Sequence, residues 1–273
     1  MRTVTNEPRI VVVTNGNYFA RLILGDLFAV FGKSIQRVLI ITGDYKGRSG
    51  MDALRWLIPS TAFPYLGYKI LQTIAFGIAG RIRPRALYDV AALARAQGVP
   101  VFRFRSIREE KAMQCVDEAD GDLLVSVSCP QRISERVLRA ARRGSINIHS
   151  SLLPRFAGLA PYYWVLAEGE MKTGITVHYM TKNFDEGHIL DSVEVEIAPR
   201  ESAFSLFRTL AIAGGPLLAG AARRALEGDT GAPQQKELHS YRSHPDFASY
   251  RRLRRRGHRL MRARELWHAL RDS

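Results

Sequence analysis

Short apolar segments alternate with segments of helical periodicity along most of this 273-residue chain. Residues 9–14 predict a buried strand, and residues 18–31 carry apolar side chains at helical spacing. Further strands are predicted at residues 37–42, 100–104, 122–127, 145–148, 173–180 and 191–197, and further helices at residues 84–97, 133–143 and 203–228. Because parallel strands joined by helices are covered on both faces, this order predicts an α/β fold with a mostly parallel, doubly wound sheet.

The positive charge of the chain is concentrated near its C-terminal end. The sequence has 40 Lys and Arg against 26 Asp and Glu, a formal net charge of +14, and eight arginines without an acid lie between Arg251 and Arg264. Such a run can meet nucleic acid, anionic lipid or a phosphorylated substrate, and it can equally be a solvated helix face. We predict a main domain at residues 8–200 and a helical, Arg-rich extension at residues 201–273.

Composition and cysteine usage limit the compartment and the class of protein. With 46% hydrophobic and 24% charged residues, the chain is not disordered throughout. Cys115 and Cys129 are too few for a disulfide framework, and their spacing is not that of a metal site, so we expect a reducing compartment and no metal. Residues 1–8 lack the apolar stretch of a secretory signal, which favours a cytoplasmic location.

One strongly apolar segment, residues 56–80, lies outside the alternating pattern. Arg55 and Arg81 flank it, and two prolines and a lysine interrupt it, which argues against a membrane span. We predict a buried helix pair here. The alternative is an interfacial amphipathic segment that, with the basic C-terminal extension, brings the chain to the surface of an anionic membrane.

Polar residues whose side chains could take part in a reaction are concentrated in residues 145–190. Asn147 and His149 lie two positions apart at the carboxyl end of a predicted strand, so they point the same way at the edge where open α/β sheets bind ligands. A later loop adds Asp185. An amide, an imidazole and a carboxylate supply an oxyanion donor, a proton acceptor and an orienting group for acyl transfer. From the residues alone, a structural histidine and a turn-forming aspartate explain the pattern equally well.

Five motif blocks occur in order in this stretch. They are Asn147-Ile148-His149, Ser151-Leu152-Leu153-Pro154, Gly158 with Pro161, Thr173-Gly174-Ile175-Thr176, and Asp185-Glu186-Gly187-His188-Ile189. In this order they resemble the folate-dependent formyltransferases, a family that includes enzymes acting on glycinamide ribonucleotide, methionyl-tRNA and sugar nucleotides. Less specifically, the resemblance extends from about residue 10 to about residue 228. It implies a Rossmann-like sheet of the formyltransferase type, with the catalytic domain at residues 8–200.

The resemblance implies an enzyme that transfers a formyl group from 10-formyltetrahydrofolate to a primary amine. Asn147 and His149 are then expected to donate to the oxyanion, while His149 and Asp185 manage the amine proton. Which of these two takes the proton stays open. The residues expected at the folate are Ser126, Val127, Ser128, Cys129, Pro130, Ile133, Phe184 and Asp185. Cys129 is expected to be a packed residue rather than a nucleophile.

The sequence says less about the acceptor of the formyl group than about its donor. Expected acceptor contacts are Asn15, Asn17, Ser151, Arg155, Gly158, Pro161 and Tyr162, with Lys46, Arg48 and Arg155 as candidates for gripping a phosphate. The aromatic stretch at residues 158–166 is similar to the sugar-modifying branch, so we expect an amino-sugar nucleotide or a similar anionic small molecule. The first alternative is methionyl-tRNA, although the segment after Asp229 is too short for the β-barrel domain expected of such an enzyme. The second is a catalytically inactive relative that binds membranes or nucleic acid.

Overall fold

A computed structural model describes residues 7–43, 51–52, 55, 61–83 and 88–271. The strands are β1 (Ile10–Thr14), β2 (Ile35–Ile41), β3 (Val101–Phe104), β4 (Leu123–Val127), β5 (Ser145–His149), β6 (Ala157–Gly158), β7 (Lys172–Tyr179), β8 (Ile189–Glu196) and β9 (Tyr241–Arg242). Seven of them form one sheet in the order β3-β2-β1-β4-β5-β7-β8. The first five strands of that order are parallel, whereas β7 is antiparallel to both β5 and β8. The mostly parallel sheet is therefore confirmed.

Helices cover both faces of the sheet. They are α1 (Tyr18–Phe31), α2 (Phe63–Ile82), α3 (Val90–Ala96), α4 (Glu110–Asp117), α5 (Glu135–Arg139), α6 (Pro161–Glu168), α7 (Ala203–Glu227), α8 (Phe247–Arg255) and α9 (Ala263–Arg271). All five residues of β1 are buried, because α1 and α7 pack on one face and α4 and α5 on the other. Phe19 and Phe207 stack with ring centroids 4.1 Å apart where α1 meets α7.

Helix α7 follows directly after residue 200 and packs into the core. The Ser202 side chain caps its N-terminus by accepting from the Ser205 amide, and Gly228 ends it in a left-handed conformation. Among the described residues, α7 alone is long and apolar enough to cross a membrane, and 56% of that apolar stretch is buried in the fold, which is typical of a core helix. The domain boundary at residue 200 stays a prediction.

The described part of the apolar segment, residues 61–80, contains a single helix with an exposed side, so over these residues the predicted buried helix pair is wrong. Tyr65, Tyr68 and Gln72 on the inner side of α2 are buried, whereas Ile74 and Ile78 on the outer side are half-exposed. Pro64 stands in the first turn, where its missing N–H costs no helical hydrogen bond. Residues 56–60 lie outside the described residues.

Other element boundaries also differ from the prediction. The helix expected at 133–143 is only five residues long as α5, and of the helix expected at 84–97 the described part begins at Val90, residues 84–87 being outside the described residues. Helices α4 and α6 were not predicted. In α6 all but the last residue are buried, so no amphipathic period marks it in the sequence.

Candidate functional site

The polar residues of β5 meet those of β7 at the carboxyl edge of the parallel strands. β5 pairs with β7 so that Asn147 lies opposite His178 and His149 opposite Thr176. The Asn147 Nδ2 lies 3.2 Å from His178 Nε2. His178 is buried and was not among the predicted site residues, although the register of two neighbouring strands brings it directly to Asn147.

Asp185 lies between the two histidines. Its Oδ2 is 3.6 Å from His149 Nδ1, and its Oδ1 is 3.5 Å from His178 Nε2. The backbone amide of Gly158 donates to Oδ2 at 2.8 Å. Burial alone would raise the pKa of Asp185, but the two facing imidazoles in their protonated form and the Gly158 amide outweigh it and hold this pKa well below its usual range. The carboxylate is therefore ionised at neutral pH.

Backbone carbonyls fix the orientation of both imidazoles. His149 Nε2 lies 2.9 Å from the Phe156 carbonyl oxygen, which can only accept, so Nε2 carries a hydrogen and Nδ1 is the nitrogen that faces Asp185. In the same way, His178 Nδ1 donates to the Tyr179 carbonyl oxygen at 2.8 Å, and in the neutral ring its Nε2 accepts from Asn147. The second N–H of the Asn147 amide remains for a ligand.

Strained backbone is concentrated around this cluster. Ser128, Phe156 and Asp185 all have left-handed conformations, with φ of 54°, 56° and 56°. Such conformations are costly for residues other than glycine, and they persist where the surrounding structure enforces them. Here they aim the Phe156 carbonyl at His149 and the Asp185 side chain at both histidines.

Several motif residues hold the loops rather than face a ligand. The Thr176 hydroxyl donates to the Ser151 carbonyl at 2.7 Å and accepts from the Leu153 amide at 3.2 Å. A methyl group at Gly187 would overlap the backbone carbonyl of Tyr179, and one at Gly174 would overlap the Leu152 side chain. The two motif glycines therefore allow the Asp185 loop and the turn after β5 to pack closely against β7.

The C-terminal extension braces both loops, and the sequence did not reveal this. Gln234 Nε2 donates to the carbonyl oxygens of Asp185 and Gly187 at 2.8 and 2.7 Å. Ser240 Oγ accepts from the Phe156 amide at 2.9 Å, and β9 pairs with β6. The extension thus holds the Asp185 loop from one side and the loop that carries Phe156 from the other.

A cleft opens beside this cluster. Its lining residues are Ser126, Cys129, Gln131, Arg132, Ile133, Asn147, His178, Met180, Thr181, Asn183, Phe184 and Asp185. His149 is buried and contacts the cleft through Asp185. The Arg132 guanidinium lies 5.7 Å from the centroid of the half-exposed Phe184 ring. The cleft thus combines the half-exposed ring of Phe184 with polar side chains of buried residues such as Ser126 and His178, a combination typical of small-ligand sites.

The predicted folate residues are only partly brought together. Ser126, Cys129, Ile133, Phe184 and Asp185 line the cleft, whereas Val127, Ser128 and Pro130 do not. Burial raises the pKa of the Cys129 thiol to about 11, so the thiol is protonated at neutral pH and is not a nucleophile. Gln131 and Arg132, which lie in the same segment as the predicted folate residues, also line the cleft.

The predicted acceptor residues divide into three groups. Gly158 is at the site through its amide, and Asn15 and Asn17 lie at the same sheet edge, where Asn17 caps α1. The four others make other contacts: Ser151 bonds to the Arg155 carbonyl, Arg155 pairs with Glu170, and Pro161 and Tyr162 are buried in α6. Lys46 and Arg48 lie outside the described residues.

The buried position of Tyr162 has a clear physical cause. Its hydroxyl lies 3.0 Å from that of Tyr65, and its ring stacks on Phe207 with centroids 4.2 Å apart. Trp164 is buried too, and its indole N–H donates to the Ser243 carbonyl oxygen at 2.9 Å. The aromatic stretch that favoured a sugar contact in the sequence is therefore core. Within the described residues, no group of three or more His, Cys, Asp or Glu side chains is arranged to hold a metal ion.

Comparison with known proteins agrees with this architecture. The chain is 40% identical over 139 residues to the methionyl-tRNA formyltransferase of Bacillus cytotoxicus, a match covering 51% of this chain and 44% of that protein. The chain thus spans about half the length of the curated relatives it matches.

Solved structures share the fold at lower identity. Glycinamide ribonucleotide transformylase 1 from Symbiobacterium toebii superposes with a TM-score of 0.58 at 18% identity, covering 86% of this chain and 97% of that one. The N-formyltransferase from Helicobacter canadensis, in complex with folinic acid and dTDP-3-aminofucose, superposes with a TM-score of 0.55 at 14% identity, covering 86% and 71%.

A family profile extends over the site itself. The profile described as formyl transferase matches residues 73–220, which is more than half of the chain and includes Asn147, His149, His178 and Asp185. This chain belongs to the formyl transferase family.

Proposed function

We propose that this chain transfers the formyl group of 10-formyltetrahydrofolate to a primary amine on an anionic acceptor. The observation that carries this proposal is the ionised Asp185 carboxylate between His149 and His178, with the Asn147 amide beside them at the cleft. Acyl transfer to an amine needs a donor for the developing oxyanion and groups that accept the amine proton. These residues supply both.

When bound, 10-formyltetrahydrofolate would supply the formyl carbon; the formyl oxygen would become negative as the amine adds to that carbon, and the carbonyl would re-form as the bond to the folate nitrogen breaks and that nitrogen takes up the proton released by the amine. Asn147 has one amide N–H engaged with His178, and the other donates to that oxygen. The amine proton passes to the pair formed by Asp185 and His149, whose Nδ1 faces the carboxylate. Asp185 also stabilises the imidazolium that results.

Folate binding is tested by thermal shift with 5-formyltetrahydrofolate. At about 100 times its dissociation constant a ligand stabilises the folded state by about 2.7 kcal/mol, and we expect a saturable rise in Tm of about 5 °C or more. Phe184→Ala removes the stacking surface and should greatly reduce the shift. Phe102→Ala is the matched control, because this exposed ring lies on β3 at the edge of the sheet. No shift in the wild type would contradict the donor side of the proposal.

For the acceptor, an amino-sugar nucleotide comes first. The high positive charge of the chain favours an anionic substrate, and a structural neighbour holds dTDP-3-aminofucose beside folinic acid. The 40% identity to a methionyl-tRNA formyltransferase favours methionyl-tRNA as the second candidate.

A direct assay distinguishes the two acceptors. Wild-type protein with 10-formyltetrahydrofolate is offered dTDP-3-aminofucose or methionyl-tRNA, and formylated product is measured by mass spectrometry. We expect formylation of the sugar nucleotide. Formylation of methionyl-tRNA alone, falling steeply as salt is raised, would establish the second candidate instead. If folate binds and no amine is formylated, the chain is an inactive relative and the proposed activity is wrong.

A further inference from the structure

Helix α2 presents an apolar side to the surface of the molecule. Ile70, Leu71, Ile74 and Ile78 are 45–53% exposed, and Ile82 is 73% exposed. The helix contains no acidic residue, and its only charged side chains are Lys69 and Arg81. Isolated exposed aliphatic residues are ordinary, but five on one helix form a continuous apolar surface that calls for a partner. We name these five residues the α2 apolar face.

The inner side of α2 is fully used by the fold. Tyr65 bonds to Tyr162, and Phe76 stacks on Tyr18 with ring centroids 4.2 Å apart. Pro64 stands in the first turn. The helix is therefore anchored along its length and lies on the molecule, with only its outer side free. Such a helix can lie in the plane of an interface and cannot leave the fold to span one.

Helices α8 and α9, which carry arginines of the basic C-terminal run, contact the two ends of α2. At the start of α2, the Phe63 and Phe247 rings contact each other with centroids 5.5 Å apart, which brings α8 alongside. At its end, Arg83 and Tyr88 both donate to the carbonyl oxygen of Leu270 in α9. Helix α2 is thus flanked at its two ends by helices from the most basic part of the chain.

Those arginines are available for a partner. Arg251, Arg255 and Arg264 are exposed, and none of them pairs with an acid in the part of the chain that the structure describes. Trp267 on α9, 61% exposed, lies three residues before Leu270. Aliphatic side chains, an exposed indole and unpaired arginines are the combination that interfacial membrane-binding helices use.

We propose that the α2 apolar face, with α8 and α9 beside it, docks this protein on the surface of an anionic lipid bilayer. Charge favours a bilayer over the two other candidate partners, a second copy of this chain and a nucleic acid. In a symmetric pair of α2 faces, the basic helices bordering each face would be brought toward those of the other copy, and this repels. Nucleic acid would pair with the arginines, but protein surfaces that bind nucleic acid are polar, and the isoleucines of the α2 apolar face would have no partner there. An anionic bilayer suits both the apolar face and the arginines, because its acyl chains accept the aliphatic side chains and its headgroups pair with the guanidinium groups.

The proposal is tested by vesicle co-sedimentation of the full chain. Vesicles of phosphatidylcholine with one-third phosphatidylglycerol are compared with vesicles of phosphatidylcholine alone. Each cationic side chain near an anionic surface strengthens binding roughly fivefold, so we expect the wild type to bind the anionic vesicles at least tenfold more tightly and to be released by salt. Ile74→Glu/Ile78→Glu should weaken this binding roughly a hundredfold or more, since each removes an aliphatic anchor and adds a like charge.

A matched pair of single variants separates the α2 apolar face from a general effect of added charge. Ile82→Glu and Met171→Glu introduce the same charge at positions 73% and 72% exposed, and Met171 is outside α2, just before β7. We expect the first to weaken vesicle binding at least tenfold and the second to change it much less. The melting temperatures of all variants report that each one folds.

Three results would overturn the proposal. The first is a wild type that does not sediment with anionic vesicles. The second is vesicle binding that Ile74→Glu/Ile78→Glu leaves unchanged. The third is a wild-type dimer in size-exclusion chromatography that this variant converts to a monomer without any vesicle binding, which would show that a second copy covers the face. If the wild type fails to bind vesicles, and both it and the Ile74→Glu/Ile78→Glu variant bind transfer RNA equally, the basic helices serve nucleic acid and the proposal is wrong.

Discussion

Replacing Asp185 with asparagine is expected to lower kcat for formyl transfer about 10³- to 10⁴-fold, by analogy with other sites where a carboxylate orients and stabilises an imidazole. Asparagine keeps the size of the side chain, and its amide oxygen can still accept from the Gly158 amide. It removes the negative charge that faces His149 Nδ1 at 3.6 Å and His178 Nε2 at 3.5 Å. The measurement is kcat at saturating folate and acceptor, with folate affinity obtained separately from thermal shifts.

Glu186→Gln is the matched control for that experiment. Glu186 is the next carboxylate of the same loop, but it is exposed and accepts from the Asn183 side chain at 2.8 Å. We expect its loss to change kcat less than about twofold, since exposed polar contacts contribute little. Equal losses in the two variants would mean that the loop, and not the Asp185 charge, governs the rate. Full activity in Asp185→Asn would contradict the assigned role.

The lowered pKa of Asp185 gives the same variant a pH signature. The Asp185 side chain is largely buried, yet its pKa in the folded state lies below the usual value of about 3.9, because the protonated imidazoles and the Gly158 amide favour the charged form. The stabilisation is therefore fully present above about pH 4 and is lost as the pH falls through the folded-state value. The difference in Tm between wild type and Asp185→Asn should accordingly shrink below about pH 4.

The parallel half of the fold could be predicted because its strands are buried on both faces. β1 and β4 are buried at every position and therefore appear in the sequence as short apolar runs. The same reasoning failed for α6 and α2. α6 is almost entirely buried and has no period to recognise, whereas α2 is apolar on a side that the fold leaves exposed. Periodicity records which residues are apolar, and it does not record what covers them.

The sequence predicts those site residues that stand in a short motif. It does not predict those that reach the site from a distant segment of the chain. Asn147, His149 and Asp185 stand in motifs, and the structure places them together. The side chains of Gln234 and Ser240 bond to backbone groups of the site loops, which any sequence presents, so nothing in the motif pointed to them. Tyr162 shows the opposite error, since a motif position next to the site was assigned to a ligand and belongs to the core.

Replacing Asn147 with alanine is expected to lower kcat about 10²- to 10³-fold, the usual cost of removing one preorganised donor to an oxyanion. The amide is preorganised because His178 accepts one of its hydrogens at 3.2 Å. Asn147→Asp keeps the shape but adds a negative charge where the oxyanion forms, so alanine is the variant that measures the loss of the donor. Measured kcat at saturating folate tests this, and a folate affinity within about threefold of wild type would show that ground-state binding survives.

A double-mutant cycle tests whether His178 acts through Asn147 as a positioning residue. If His178 serves only to orient the amide, His178→Phe should lower kcat in the wild type and have little further effect once Asn147 is alanine, because the group it orients is gone. His178→Gln should restore part of the loss, since its side-chain oxygen can also accept from the amide. Additive losses in the double variant would instead place His178 with Asp185, whose Oδ1 lies 3.5 Å from the same imidazole nitrogen. The cycle therefore decides whether the second histidine works on the amide donor or on the carboxylate.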